Sequence, residues 1–157
     1  PEAGDWVDLA LMSSIQKKYT GAQITKDMVR KWKEKNSYVG GKEKQVLVDL
    51  SVEGKSQTVD IGDLLENACD SLAQHLGVAI KNIISGGDPE YQPLFRKNIF
   101  LAGGSSQIKG LAKKVTEYIS DIGDVSVSAV KKPEHKVAQG ALALAESMPD
   151  EEYTSIV

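Results

Sequence analysis

The sequence has a single cysteine, Cys69, and only two histidines, His75 and His135, among its 157 residues. One thiol excludes an internal disulfide framework and is compatible with a reducing compartment. The two histidines lie far apart, with no carboxylate or thiolate at ligand spacing, so no structural zinc site is expected. No apolar run approaches the ~20 residues that a membrane-spanning helix needs, and direct membrane insertion is not expected. There is no basic block, and the formal net charge is -3. That balance gives no footing for non-specific binding to nucleic acid or to an anionic membrane. Internal repeats and low-complexity segments are missing too. No signal-peptide pattern opens the chain and its first residue is Pro1, so the expectation is a portion of something longer. The hydrophobic content of 41% suffices for one domain of ordinary size with a small appended lobe.

The stretch Asn98-Ile-Phe-Leu-Ala-Gly-Gly-Ser-Ser-Gln-Ile-Lys-Gly-Leu111 organises the rest. A short apolar run ends in Gly103 and Gly104, and Ser105 or Ser106 can cap a helix that begins just after them. A strand end, bare glycine backbone and a helix N-terminus make a place where a ligand's phosphates or sugar can approach the main chain. Taken alone, the same residues also describe a plain strand-to-helix turn with a serine cap.

Residues 5–19 read as a helix, with Val7, Leu11, Ile15 and Tyr19 at i+4 spacing and Lys17 and Lys18 near its C-terminus. A second helix is predicted from Lys26 to Tyr38, N-capped by Thr25. Its polar face holds Arg30, Lys33 and Glu34, which by themselves describe a solvated charged surface. Gly40 to Lys44 reads as a turn. Val46, Val48, Leu50 and Val52 then alternate with Leu47, Asp49 and Ser51, and Glu53-Gly54-Lys55 turns the chain back through Ser56 to Asp60 as a hairpin. Asp60 is read as the cap of a long helix to Ser85, with an apolar stripe of Leu65, Leu72, Leu76, Ile80 and Ile83, widened by Leu64, Cys69 and Ile84, and a stop at Gly86-Gly87. Cys69 and His75 read as packing and surface residues. Tyr91, Leu94 and Phe95 are expected to pack beneath the central strand. A helix from Leu111 to Ile119 follows, then a strand over Val125–Val130, a basic loop over Lys131–Lys136, and a small-residue helix over Val137–Ala145. Residues 149–157 read as a polar tail.

Together these motifs resemble the superfamily of actin, the heat-shock chaperones and the sugar kinases. Ala3-Gly4-Asp5-Trp6-Val7-Asp8 stands where its members carry Gly-Gly-x-x-apolar-Asp, with Ala3 replacing the first glycine. Val29-Arg-Lys-Trp-Lys-Glu-Lys-Asn-Ser-Tyr-Val39 resembles the helix that presents Lys-Glu to adenosine. Asn98 to Leu111 is similar to the adenosine motif. In order, these features are similar to the C-terminal half of a prokaryotic actin. The branch that builds magnetosome filaments is most alike, on Pro89-Glu-Tyr-Gln92 and on Pro133 ahead of Gly140-Ala-Leu142.

The resemblance implies an α/β fold, an actin-like and ribonuclease-H-like second half with a small inserted α+β lobe. The core would be residues 1–20 and 61–148, the lobe 21–60, and the tail 149–157. It implies ATP or ADP with Mg as cofactor, and nucleotide contacts at Gly4, Arg30, Lys33, Glu34, Gly103, Gly104, Ser105, Gln107 and Ile108. Glu34 would accept hydrogen bonds from the ribose hydroxyls, and the stem of Lys33 would lie along the base with its charge toward solvent or phosphate. His135 or Lys136 would stand near the adenine. No catalytic or metal-binding residue is assigned in this chain. The Asp-x-Gly phosphate loops and three strands of the central sheet are expected in an N-terminal half, which would be one partner. Further filament protomers and a magnetosome-associated adaptor would be others, in a cytoplasmic filament. The parent is expected to be an ATPase whose hydrolysis is coupled to filament dynamics, and this piece alone is expected to be inactive. Two other classes stay open: a chaperone or small-molecule kinase of the same superfamily, and a non-enzymatic interaction module.

Overall fold

The computed structural model describes residues 4–41 and 44–149. The expectations placed on Ala3, on Lys42 and Glu43 of the turn, and on the tail beyond Pro149 lie outside the described residues.

The first helix, α1 (Gly4–Lys18), buries Val7, Leu11 and Ile15 at the expected spacing, and also buries Asp8. After Gly21 comes a two-residue strand, β1 (Ala22–Gln23), too short to carry any period a sequence could show. The Thr25 side chain accepts a hydrogen bond from the Met28 N–H and opens α2 (Lys26–Asn36). This helix ends two residues earlier than predicted. Ser37 leaves helical geometry, and Tyr38 and Val39 run instead beside Lys109, with the Val39 N–H donating to the Lys109 carbonyl at 2.9 Å.

Strands β2 (Leu47–Val52) and β3 (Lys55–Asp60) form the expected antiparallel hairpin, and β1 pairs with the other edge of β2. Glu53 and Gly54 both take positive φ, the backbone of a two-residue turn that matches strand twist. Val48 and Leu50 face inward while Leu47 and Asp49 face out. The Asp60 carboxylate accepts from the Val46 N–H at 2.8 Å and from the Gly62 N–H at 2.9 Å. It thus ties the hairpin to α3 (Gly62–Gly86), although the N-cap position itself is Ile61.

The buried face of α3 is Leu65, Ala68, Cys69, Leu72, Ala73, Gly77 and Ile84. Ile83, expected in that stripe, is 71% exposed, because the face continues from Ile80 through Ile84. Small residues replace large ones where α5 (Leu111–Tyr118) approaches: a side chain begun at Gly77 would meet Tyr118 Cβ at 3.1 Å. His75 is exposed and meets Trp6 edge-on, with ring centroids 4.9 Å apart.

Tyr91, Leu94 and Phe95 do not pack beneath a strand. They are 51%, 59% and 41% exposed. The segment winds into α4 (Gln92–Lys97), and the i, i+3, i+4 spacing turns all three to one outer face. Strands β4 (Ile99–Leu101) and β5 (Val127–Ala129) pair in parallel, Ile99 opposite Val127, and are the whole of that sheet among the described residues. No helix begins at Ser105 or Ser106. Gly103 takes φ 85, a 3-10 turn covers Gly104–Gln107, and α5 starts only after Gly110, also at φ 85. The last helix, α6 (Pro133–Ser147), starts four residues before the predicted point, so the basic segment 133–136 is helical. Lys132 reverses the chain at φ 50, and Pro133 fits a first turn where its missing N–H leaves no bond unmade.

One buried cluster joins Val48 and Leu50 of the hairpin to Leu11, Leu65, Leu72, Leu111 and Val115. Each fully buried leucine adds roughly 1.5–3 kcal/mol over an exposed one. The hairpin and the helices α1, α3 and α5 therefore share one core. Among the described residues no helix is long and apolar enough to cross a membrane.

Candidate functional site

Three segments distant in sequence converge on one cavity. The first turn of α1 brings Gly4 and Asp5, the end of α2 and its C-cap bring Lys33, Glu34 and Ser37, and the 3-10 turn with its C-cap brings Gly104, Ser105, Gln107 and Ile108. They line an open cleft of about 640 Å³, inside the range of roughly 300–1,000 Å³ that small-molecule sites occupy.

Each wall has a local cause. On α2, residues 30, 33 and 34 fall on one side of the helix, and Ser37 is its C-cap. The glycine turn is held by its own side chains: the Ser106 hydroxyl donates to the Gly103 carbonyl at 2.7 Å. The Gln107 amide donates to the Ser106 hydroxyl and to the Val130 carbonyl, each at 3.0 Å, tying the turn to the end of β5. Gly103 and Gly104 have no atom within 4 Å of the point where a side chain would begin, so their main chain is open to close approach. A side chain begun at Gly4 would meet Lys33 Nζ at 3.1 Å and Ser105 Oγ at 3.4 Å. Glycine lets the three segments close up there.

The charges are ordered. Lys33 Nζ lies 2.8 Å from Asp8 Oδ1 and donates to the Gly4 carbonyl at 2.9 Å. The expectation that this ammonium points to solvent or phosphate is therefore corrected: a buried carboxylate draws it back against α1. Arg30 reaches Asp5 Oδ1 at 3.2 Å and comes within 3.8 Å of Asp8 Oδ2. Glu34 is exposed on the cavity wall. Past the end of α2, the Tyr38 hydroxyl accepts from the Lys44 N–H at 3.1 Å, and burial pushes its phenol above the ordinary value.

Of the nine residues singled out in the sequence, the cavity gathers Gly4, Lys33, Glu34, Gly104, Ser105, Gln107 and Ile108. Arg30 lies outside the lining, engaged with Asp5 and Asp8, and Gly103 borders a second, largely apolar hollow of about 340 Å³ with Leu72, Leu76, Phe100 and Leu111. Asp5 and Ser37 were missed. The helical spacing from Glu34 to Ser37 was the signal for the second of them. His135 and Lys136 do not line the cavity; the Lys136 ammonium donates to Gln139 at 3.0 Å. Among the described residues no group of three His, Cys, Asp or Glu side chains is placed to hold a metal ion.

Comparison with known proteins gives a consistent set. The family model described as MreB/Mbl protein matches residues 1–152. The chain is 31% identical over 155 residues to the actin-like protein MamK of Paramagnetospirillum magneticum, covering 99% of this chain and 45% of that one. It is 29% identical over 155 residues to MamK of Magnetospirillum gryphiswaldense, covering 99% of this chain and 43% of that protein. The chain thus spans less than half the length of these relatives. Among solved structures, a MamK double helical filament superposes with a TM-score of 0.86 at 32% identity, over 94% of this chain and 46% of the other. A non-polymerising MamK mutant bound to AMPPNP gives a TM-score of 0.84 at 32% identity, over 93% and 45%.

Proposed function

Since the chain belongs to the MreB/Mbl family of actin-like proteins, we propose that it is the second half of a bacterial filament protein and that its cavity holds the nucleoside end of an adenine nucleotide. The observation that carries this reading is the convergence of Gly4, Lys33, Glu34 and the Gly104–Ile108 segment, from three parts of the sequence, on one cavity of nucleotide-compatible size. Similarity to an AMPPNP-bound MamK supports the ligand class, and similarity to a MamK double helical filament supports self-assembly.

The residues present fit such a ligand. Glu34 offers a carboxylate to a pair of hydroxyls, the Lys33 stem gives an apolar wall, and the bare main chain at Gly104 admits a ring or sugar at contact distance. Ser105 and Gln107 add polar groups on a turn that their neighbours lock in place. When bound with Mg, the nucleotide would supply a polyphosphate charge shared between the two halves of the whole protein. The groups that hold the metal and orient water for hydrolysis belong, in this proposal, to the other half. The whole protein would assemble with other protomers into a cytoplasmic filament that positions magnetosomes through an adaptor. The chaperone and kinase readings gain no comparable support from the comparisons.

The test is Glu34→Ala in the full-length protein, read by titration calorimetry with an adenine nucleotide. Loss of hydrogen bonds to a charged acceptor should weaken binding by roughly 1.5–3 kcal/mol with little change in unliganded stability, since Glu34 is exposed. Unaltered affinity would return Glu34 to a plain solvated surface.

A further inference from the structure

Lys33 lines the cavity, yet its charge is spent elsewhere. The ammonium is held by Asp8 Oδ1 at 2.8 Å and by the Gly4 carbonyl at 2.9 Å, and the lysine side chain is only 13% exposed. The Asp8 side chain has no exposed area at all, and neither carboxylate oxygen receives a well-directed hydrogen bond among the described residues. Its charge is compensated by Lys33 at 2.8 Å and, at 3.8 Å, by Arg30 Nε. A buried ion pair of this kind is often no more stabilising than an apolar pair of similar volume. Stability is thus a poor explanation for a fully buried aspartate here, and position is a better one.

A lysine tail has four rotatable bonds and a strongly hydrated head, so an unanchored Lys33 would sweep the cavity and reach for any anion in it. Asp8 prevents both. We infer that Asp8 is a positioning residue that sets the cavity's ligand preference: by anchoring and neutralising Lys33, it makes the lysine stem a fixed apolar wall for a nucleoside and withholds its charge from phosphates. The inference rests on the nucleotide reading above and adds how the site divides its contacts. Recognition at this wall is by the nucleoside, and the Lys33 charge contributes little to phosphate binding.

The experiment compares adenosine with AMPPNP on the full-length protein, by calorimetry at low and high salt, for wild type, Asp8→Asn and Asp8→Asn/Lys33→Met. In Asp8→Asn the freed ammonium should cost adenosine about tenfold in affinity, an effect of about one ion-pair rearrangement. AMPPNP should lose less, so that the ratio of the two affinities rises several-fold, and its binding should become more sensitive to salt. The double variant keeps an unbranched stem without a charge to hold, and should return adenosine affinity to within about threefold of wild type. Equal losses for both ligands, or no loss for either, would overturn the role of Asp8. Should Asp8→Asn fail to fold, the double variant decides: near-wild-type adenosine binding supports the inference and its loss refutes it. Wild type that binds neither ligand would overturn the nucleotide reading itself, and this role with it.

Discussion

Replacing Gly110 with alanine should uncouple the two walls of the cavity. Gly110 sits at φ 85 and ψ -7, and a methyl group added there would run into the Val39 carbonyl. The left-handed backbone costs alanine about 1–2 kcal/mol relative to glycine. Relief of the clash requires Val39 to move, and Val39 is buried with its N–H bonded to the Lys109 carbonyl at 2.9 Å. Losing that bond in a buried setting adds about 1–3 kcal/mol. The sum is about 2–5 kcal/mol, read from urea denaturation of the full-length protein followed by circular dichroism. Gly104→Ala is the control. Its φ is unstrained and the space around it is open, so its stability should stay within about 0.5 kcal/mol of wild type. Because the Tyr38–Lys109 bridge joins the end of α2 to the glycine turn, Gly110→Ala should also weaken nucleotide binding. A stability change for Gly110→Ala no larger than that of the control would refute the reasoning.

Two further outcomes follow from the ionisable groups. The Gly62 and Val46 N–H groups hold the Asp60 carboxyl below its ordinary value of 3.8; its contribution is therefore present above that value and lost as pH falls through the lower folded value. Asp60→Asn should remove this part of the acid dependence, and an unchanged acid limb in pH-dependent denaturation would show that the two bonds are not made. Burial pushes the Cys69 thiol up to about 11, so a disulfide reagent at mildly alkaline pH should leave native protein unmodified and react on unfolding; rapid native labelling would contradict the packing of α3.

Long periodic segments were legible because burial dictates them. The i+4 rows of α1, the Thr25 cap of α2 and the alternation around Val48 and Leu50 each state one preference that the packed structure shares. The face of α3 was only partly legible: Ile83 and Ile84 are equally apolar and both read as part of the stripe, yet only Ile84 is buried. Short elements were opaque. β1 has two residues, and the aromatic α4 segment carries apolar residues that face outward. The cavity's lining was largely readable from three motifs, since glycines and a charged helical face mark close approach. The inward turn of Lys33 was not, because sequence gives no sign that Asp8 is fully buried beside it.

The central claim is that this cavity holds the nucleoside of an adenine nucleotide, and a crystal structure of the full-length protein with AMPPNP tests it most directly. The account predicts the ribose hydroxyls within hydrogen-bond distance of the Glu34 carboxylate, with the Gly104 main chain packed against the ligand and Lys33 still turned to Asp8. Ligand density lying away from Glu34 and the Gly104–Ile108 segment would contradict it.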